Sequence, residues 1–210
     1  MKLPLLIIFA LVSSVILSSC PAAAQIKQPG AHPRYDVEIE PHLTLLWDHG
    51  PARFGDEGLG VGVRASIPFF HNGPIDSINN NMGITFGFDY AYFDVDHHRY
   101  CREYGPAWCE RHEDYDASVF WFPVAMQWNF FFHPKVAVFG EVGLALEHAR
   151  WSFAVPCRRG EPALCEVDDS DTDLLNFVFA AGGRFMLWDR VGLNVRLGHP
   201  ALTLGVSILL

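Results

Sequence analysis

The sequence predicts an all-β fold: an eight-stranded, antiparallel, up-and-down transmembrane β-barrel. Three observations carry this. Apolar and polar residues alternate along most of the chain, the polar set contains charges, and the chain opens on an export-type segment. The alternation is plainest near the end, where Val191, Leu193, Val195 and Leu197 interleave with Gly192, Asn194, Arg196 and Gly198. After His199-Pro200, Leu202, Leu204, Val206, Ile208 and Leu210 alternate with Ala201, Thr203, Gly205 and Ser207. A period of two sends the two sets to opposite faces of a strand.

At the start, Lys2 precedes an apolar stretch from Leu3 to Leu17, and Ala22-Ala23-Ala24 offers a small-residue cleavage pattern before Gln25. The stretch is shorter than the ~20 residues of a spanning helix. Residues 1–24 therefore read as a signal peptide. Leu17-Ser18-Ser19-Cys20 also fits a lipobox, which would place a lipid on Cys20. Residues 25–34, broken by proline and glycine, read as a flexible, poorly ordered leader.

Residues 35–210 form the barrel domain. Its strand candidates are 35–47, 58–70, 82–93, 118–132, 136–151, 174–188, 191–198 and 201–210. Most reach or approach the ~9–11 residues of a tilted membrane strand. No helical period separates them, which disfavours a βαβ fold. With the first strand running outward, the inner turns are 71–81, 133–135 and 189–190. The outer connections are 48–57, 94–117, 152–173 and 199–200. Both long connections fall outside, as in outer-membrane barrels.

The apolar parity turns aromatic toward strand ends (Tyr35, Trp47, Phe69, Tyr92, Trp128, Phe132), which suits a hydrocarbon–water interface. The polar parity carries Glu38, Glu40, Arg64, Asp89, Gln127, Glu141, Arg184 and Arg196 among many glycines. A soluble ligand-binding barrel would show the reverse sorting. Apolar side chains turned to water would leave a belt larger than soluble proteins tolerate. Turned to lipid, with the sheet closed, they leave no backbone group unpaired.

An eight-stranded lumen is just wide enough for side chains to fill, and unpaired charges there are costly. Matching heights along the strands predict a central ion-pair cluster of Glu40, Arg64, Glu141, Arg184 and Arg196. The expected pairs are Glu40–Arg64 and Glu141–Arg184, with Arg196 nearby. Such a cluster reads as a plug that locks strand register, or as the gate of a narrow, porin-like pore.

The net charge of −9, with basic residues scattered, gives no footprint for nucleic acid. Cys101 and Cys109 share a spacing with Cys157 and Cys165, which in an exported chain predicts two local disulfide bonds. Zinc is the alternative, without C-x-x-C spacing to support it.

On these features, residues 35–210 resemble the small outer-membrane β-barrel proteins of Gram-negative bacteria, the broad group of OmpA-like and OmpX-like barrels. The chain departs from the group's pattern in ending on Leu210 instead of an aromatic residue. The resemblance implies a bacterial outer-membrane location, with membrane lipid and lipopolysaccharide as surroundings. It also implies a monomer without cofactor or metal, serving envelope structure or interaction with a surface or envelope protein. Some barrels of the group modify lipids, so acyltransferase or deacylase chemistry is the alternative. Its candidates here are Ser118 or Ser152 with His148, but alternation sends Glu147 to the face opposite His148. A soluble or lipid-anchored barrel binding a small apolar ligand is a further alternative. His97 and His98, or Asp168, Asp169, Asp171 and Asp173, could hold a cation, but no metal-binding frame surrounds them.

Overall fold

A computed structural model describes residues 22–46, 58–95, 99–101, 109–111, 115–156, 164–199 and 201–210. In chain order the strands are β1 (Glu38–Leu46), β2 (Gly58–Phe70), β3 (Asn80–Val95), β4 (Arg99–Cys101), β5 (Cys109–Arg111), β6 (Tyr115–His133), β7 (Val136–Pro156), β8 (Leu164–Met186), β9 (Val191–His199) and β10 (Ala201–Leu209). Eight of them close into a barrel in the order β1-β10-β9-β8-β7-β6-β3-β2, while β4 and β5 make a small separate ladder. Every neighbour in the barrel is antiparallel, including the closing pair β1–β10.

The alternation read from sequence fixes which face looks inward. Leu43, Val61, Val124, Phe177, Leu197 and Leu204 lie exposed on the outer wall, Leu197 at 59%. The polar parity lies inside, with Glu38 at 1% and Arg196 at 2%. An apolar belt around a charged interior is stable only where the outside is hydrocarbon, so the barrel spans a membrane. Closure leaves no sheet edge to that hydrocarbon.

The lumen is layered. At the outer end, Leu46, Ala91, Phe93, Val119, Trp121, Ala145, Ala149 and Val178 pack together. Charged residues fill the middle. Tyr35, Met186 and Leu209 pack at the inner end, beside a hydrogen-bonded set from Asn79 to Asn81 and Asn129. The predicted inward polar set thus has an apolar lid that the parity pattern blurred at Trp121.

Several predicted boundaries shift. Tyr35, expected at the lipid interface, lies 5% exposed inside the barrel, because β1 begins only at Glu38. Trp47 lies outside the described residues. The expected loop 152–173 is largely strand: β7 and β8 stay paired as far as Pro156 and Leu164. Beyond the membrane a hairpin needs no apolar face, so the acids of β8 look like loop in sequence. Within the expected loop 94–117, β4 pairs with β5.

Residues 25–34 lie beside the inner turn. After a 3₁₀ turn, Ala22–Lys27, Gly30 takes a positive φ of 73° that other residues rarely adopt, and the chain folds against the inner turn. The Asn79 amide donates to the Ile26 carbonyl at 2.7 Å. His32 stacks on Phe131 with ring centroids 4.4 Å apart, and its Nδ1 donates to Asn79 Oδ1 at 2.6 Å.

Two outcomes follow. Burial pulls His32 below its ordinary 6.5, with repulsion from His71 and Arg34 adding to it, against opposing hydrogen bonds. The docked leader therefore favours neutral imidazole: its contribution is complete above the undocked value and is lost as pH falls through the lowered one. Exchange protection of the Asn79 amide should fall as the pH is taken from above 6.5 to below it in the native chain and lose that dependence in His32→Asn. Protection unchanged across this range contradicts the docking. Leu204→Arg, on the outer wall, should cost about 2–4 kcal/mol in urea unfolding from vesicles, whereas a neutral effect contradicts a lipid-facing position.

Candidate functional site

Within the mid-lumen, four carboxylates (Glu38, Glu40, Asp89, Glu141) face three guanidiniums (Arg64, Arg184, Arg196), all buried. Arg196 clamps Glu40 with two bonds, Nη1 to Oε1 at 2.7 Å and Nη2 to Oε2 at 3.0 Å. Its other side meets Glu141, with Nη2 3.1 Å from Oε1 and Nε 3.0 Å from Oε2. Arg64 bridges Glu141 Oε2 at 3.2 Å and Asp89 Oδ2 at 3.3 Å. His42 Nε2 lies 2.5 Å from Asp89 Oδ1, and its Nδ1 is 3.1 Å from the Glu40 carbonyl. Toward the inner end, Arg184 pairs with Glu38. Asn194 links the two halves, donating to Glu40 Oε2 at 2.6 Å and Glu38 Oε1 at 3.2 Å.

The cluster forms, but with different partners from those predicted. Glu40 and Arg64 are direct neighbours on β1 and β2, yet Glu40 turns to Asn194 and Arg196 of β9, and Arg64 to Asp89 of β3 and Glu141 of β7. Glu141 sits across from Ala180 and Arg184 across from Ala137, so four residues of strand separate them. At ~3.4 Å per residue that offset is beyond a salt bridge. Arg184 therefore belongs with Glu38. Glu38, His42, Asp89 and Asn194 join the cluster beyond the five residues predicted, and all four lie on the inward parity.

Two glycines explain how charges two strands apart meet. Gly62 stands between His42 and Asp89 in the ladder, and a Cβ there would lie 2.4 Å from His42 Nε2 and 2.5 Å from Asp89 Oδ1. Gly205 stands between His42 and Asn194, and a Cβ there would lie 2.9 Å from Glu40 Cγ. Without side chains at these points, partners reach across an intervening strand. Aromatic faces complete the packing: the Arg196 guanidinium lies 5.3 Å from the Phe139 ring centre, and Arg184 5.9 Å from that of Tyr35.

Alternation separates the alternative acid from the histidine. Glu147 accepts from Asn176 at 2.7 Å on the lumen side. The His148 ring instead lies 6.3 Å from Phe120 on the outer wall. Ser118 faces Arg150 in the ladder, and Ser152 faces Asp116 and Asp168. Among the described residues no three His, Cys, Asp or Glu side chains gather to hold a metal. Cys101 is the direct ladder partner of Cys109, and Cys165 is that of Val155. Cys157 and Cys20 lie outside the described residues.

Fold and polarity together define an eight-stranded transmembrane β-barrel with an ion-paired lumen. No family model matches the chain, and no curated protein does. Among solved structures it is similar to Ail, the attachment invasion locus protein of Yersinia pestis, at 14% identity and a TM-score of 0.47, over 83% of this chain and 98% of that one. Ail in complex with the heparin analogue sucrose octasulfate gives 13% and 0.43, over 82% and 95%. Ail in a phospholipid bilayer nanodisc gives 11% and 0.40, over 84% and 100%.

Removing Glu141 leaves Arg64 and Arg196 each short of a buried partner. Glu141→Ala should therefore cost about 3–5 kcal/mol in urea unfolding from vesicles. Adding Arg64→Met should recover part of that loss. A single variant with unchanged stability contradicts the network.

Proposed function

We propose that this chain is a bacterial outer-membrane protein, non-enzymatic and monomeric, that serves envelope structure or surface interaction through external loops braced by disulfides. The observation that carries the reading is the ion-paired lumen occupied by side chains. Linked guanidinium–carboxylate pairs occupy its middle and an apolar layer lies above them. Such an interior is a rigid support, which leaves recognition to the outer hairpins. The lengths of β7 and β8, 21 and 23 residues, support this. They exceed the ~9–11 needed to cross a bilayer, so the hairpin extends past the outer surface. Lipopolysaccharide or an envelope protein is the expected neighbour of that extension.

The pairing of Cys101 with Cys109 in the β4–β5 ladder supports a disulfide there, since opposed ladder residues lie within bridging distance. The second expected bond, Cys157–Cys165, rests on the repeated spacing. The signal peptide ending at residue 24, with lipidation of Cys20 as its alternative, completes the reading.

Fractionation of cells producing the full chain should place it with outer membranes, resistant to carbonate washing and heat-modifiable on gels. Recovery in the wash contradicts the reading. A thiol-reactive polyethylene glycol should shift the oxidised protein only after reduction. Labelling of Cys101 and Cys109 without reductant contradicts the proposed bond.

A further inference from the structure

The two ends of the lumen are closed in different ways. The outer end is filled by the apolar layer around Phe93 and Trp121, which belongs to the barrel wall itself. The inner end is polar, with Asn79, Asn81 and Asn129 buried there. Asn79 Nδ2 and Asn129 Oδ1 have no hydrogen-bond partner among the described residues. Buried polar atoms without a protein partner are ordinarily satisfied by water. The inner end thus favours solvent where the outer end excludes it.

What lies over the inner end is the leader. Pro33 and Tyr35 roof a narrow space floored by Ala137, Arg184, Met186 and Leu209, with room for roughly one water. Asn81 donates to the Tyr35 hydroxyl at 3.3 Å. Farther from the mouth, the leader is held through the Ile26 carbonyl on the Asn79 amide, and through His32 on Asn79 Oδ1 and Phe131. Its own turn is closed by Gln25, whose side-chain amide donates to the Ala31 carbonyl at 2.8 Å. Gly30 completes that turn, and a Cβ there would lie 2.9 Å from Asn72 Oδ1. The ladders of β1 begin only at Glu38, so the leader can lift without breaking the sheet. His32 is the contact that can change charge. Asn79 Oδ1 and the His71 carbonyl accept from its ring, while the His71 ring and Arg34 oppose a further positive charge there. Burial of the ring opposes it too.

We propose that the leader, with Tyr35, is a strap that closes the inner mouth of the lumen and lifts when His32 takes up a proton. Lifting admits water and small solutes to the polar inner end. The ion network and the apolar layer stay closed above it, so no path opens through the barrel. The device sits at the inner face and is independent of whatever the external loops recognise.

A thiol under the strap reports on it directly. Ala137→Cys is made in the full chain with the native cysteines replaced by Ser, and reconstituted in bilayer nanodiscs, which leave both faces accessible. Its rate of modification by a small water-soluble methanethiosulfonate is divided by that of Lys135→Cys, an exposed position on the neighbouring turn. The ratio removes the reagent's own pH dependence. Met186→Cys, which lines the same space, gives a second reading should Ala137→Cys fail to fold. The relative rate should be low above pH 6.5 and rise several-fold as the pH is taken below it. Gly30→Val, strained at a positive φ, should raise it at every pH while heat-modifiable mobility shows the barrel intact. His32→Asn should abolish the pH dependence. A relative rate near one in the native leader, or one unchanged in folded Gly30→Val, overturns the strap. A rate indifferent to pH, or a pH dependence that survives in His32→Asn, overturns the trigger.

Discussion

A closed sheet in hydrocarbon leaves polar side chains one place to go, and here that place is barely wider than the side chains themselves. Every charge sent inward must therefore find its counter-charge within the same narrow cylinder, since an uncompensated buried ion costs several kcal/mol. Arg196 shows the result, held between Glu40 and Glu141 from different walls of the barrel. The network thus ties together strands that are not neighbours in the sheet. Register, closure and the layered interior all rest on that cross-lumen tie.

Glycine placement is what makes the tie geometrically feasible. Gly62 and Gly205 occupy inward positions where a side chain would collide with His42, Asp89 or Glu40. Their small size, not backbone freedom, is the relevant property. Large groups compensate elsewhere: Phe139 covers Gly182, where a Cβ would lie 2.2 Å from the ring. The lumen is filled by alternating gaps and reaching side chains, which is how a small barrel reaches the packing density of a protein interior.

Much of this was legible in the residues. Period-two alternation placed the eight barrel strands, and Glu40, Arg64, Glu141, Arg184 and Arg196 lie buried on its polar parity. Partner choice was not legible, because height along two adjacent strands says nothing about reach across the lumen. Glu40 and Arg64 are adjacent in register yet pair elsewhere, and the offset of Glu141 from Arg184 depends on a ladder register that turns, not strands, determine. Hairpin extensions beyond the membrane were also hidden, since strands in water need no apolar face. The contacts of the leader are hidden in the sequence because their partners, Asn79 and Phe131, lie far along the chain. Pro123 was visible as a residue, but the gap beside it in the β3–β6 ladder appears only once Gly87 is known to lie opposite.

Hydrocarbon surrounds the apolar parity while the charged parity faces the lumen. Spin labels placed singly along β10, on a chain whose native cysteines are replaced, test it through collision with oxygen and with a water-soluble nickel chelate. Labels at Leu204, Val206 and Ile208 should collide freely with oxygen and little with nickel, while those at Thr203, Gly205 and Ser207 should show low oxygen accessibility. The reverse alternation, or none, would contradict the account.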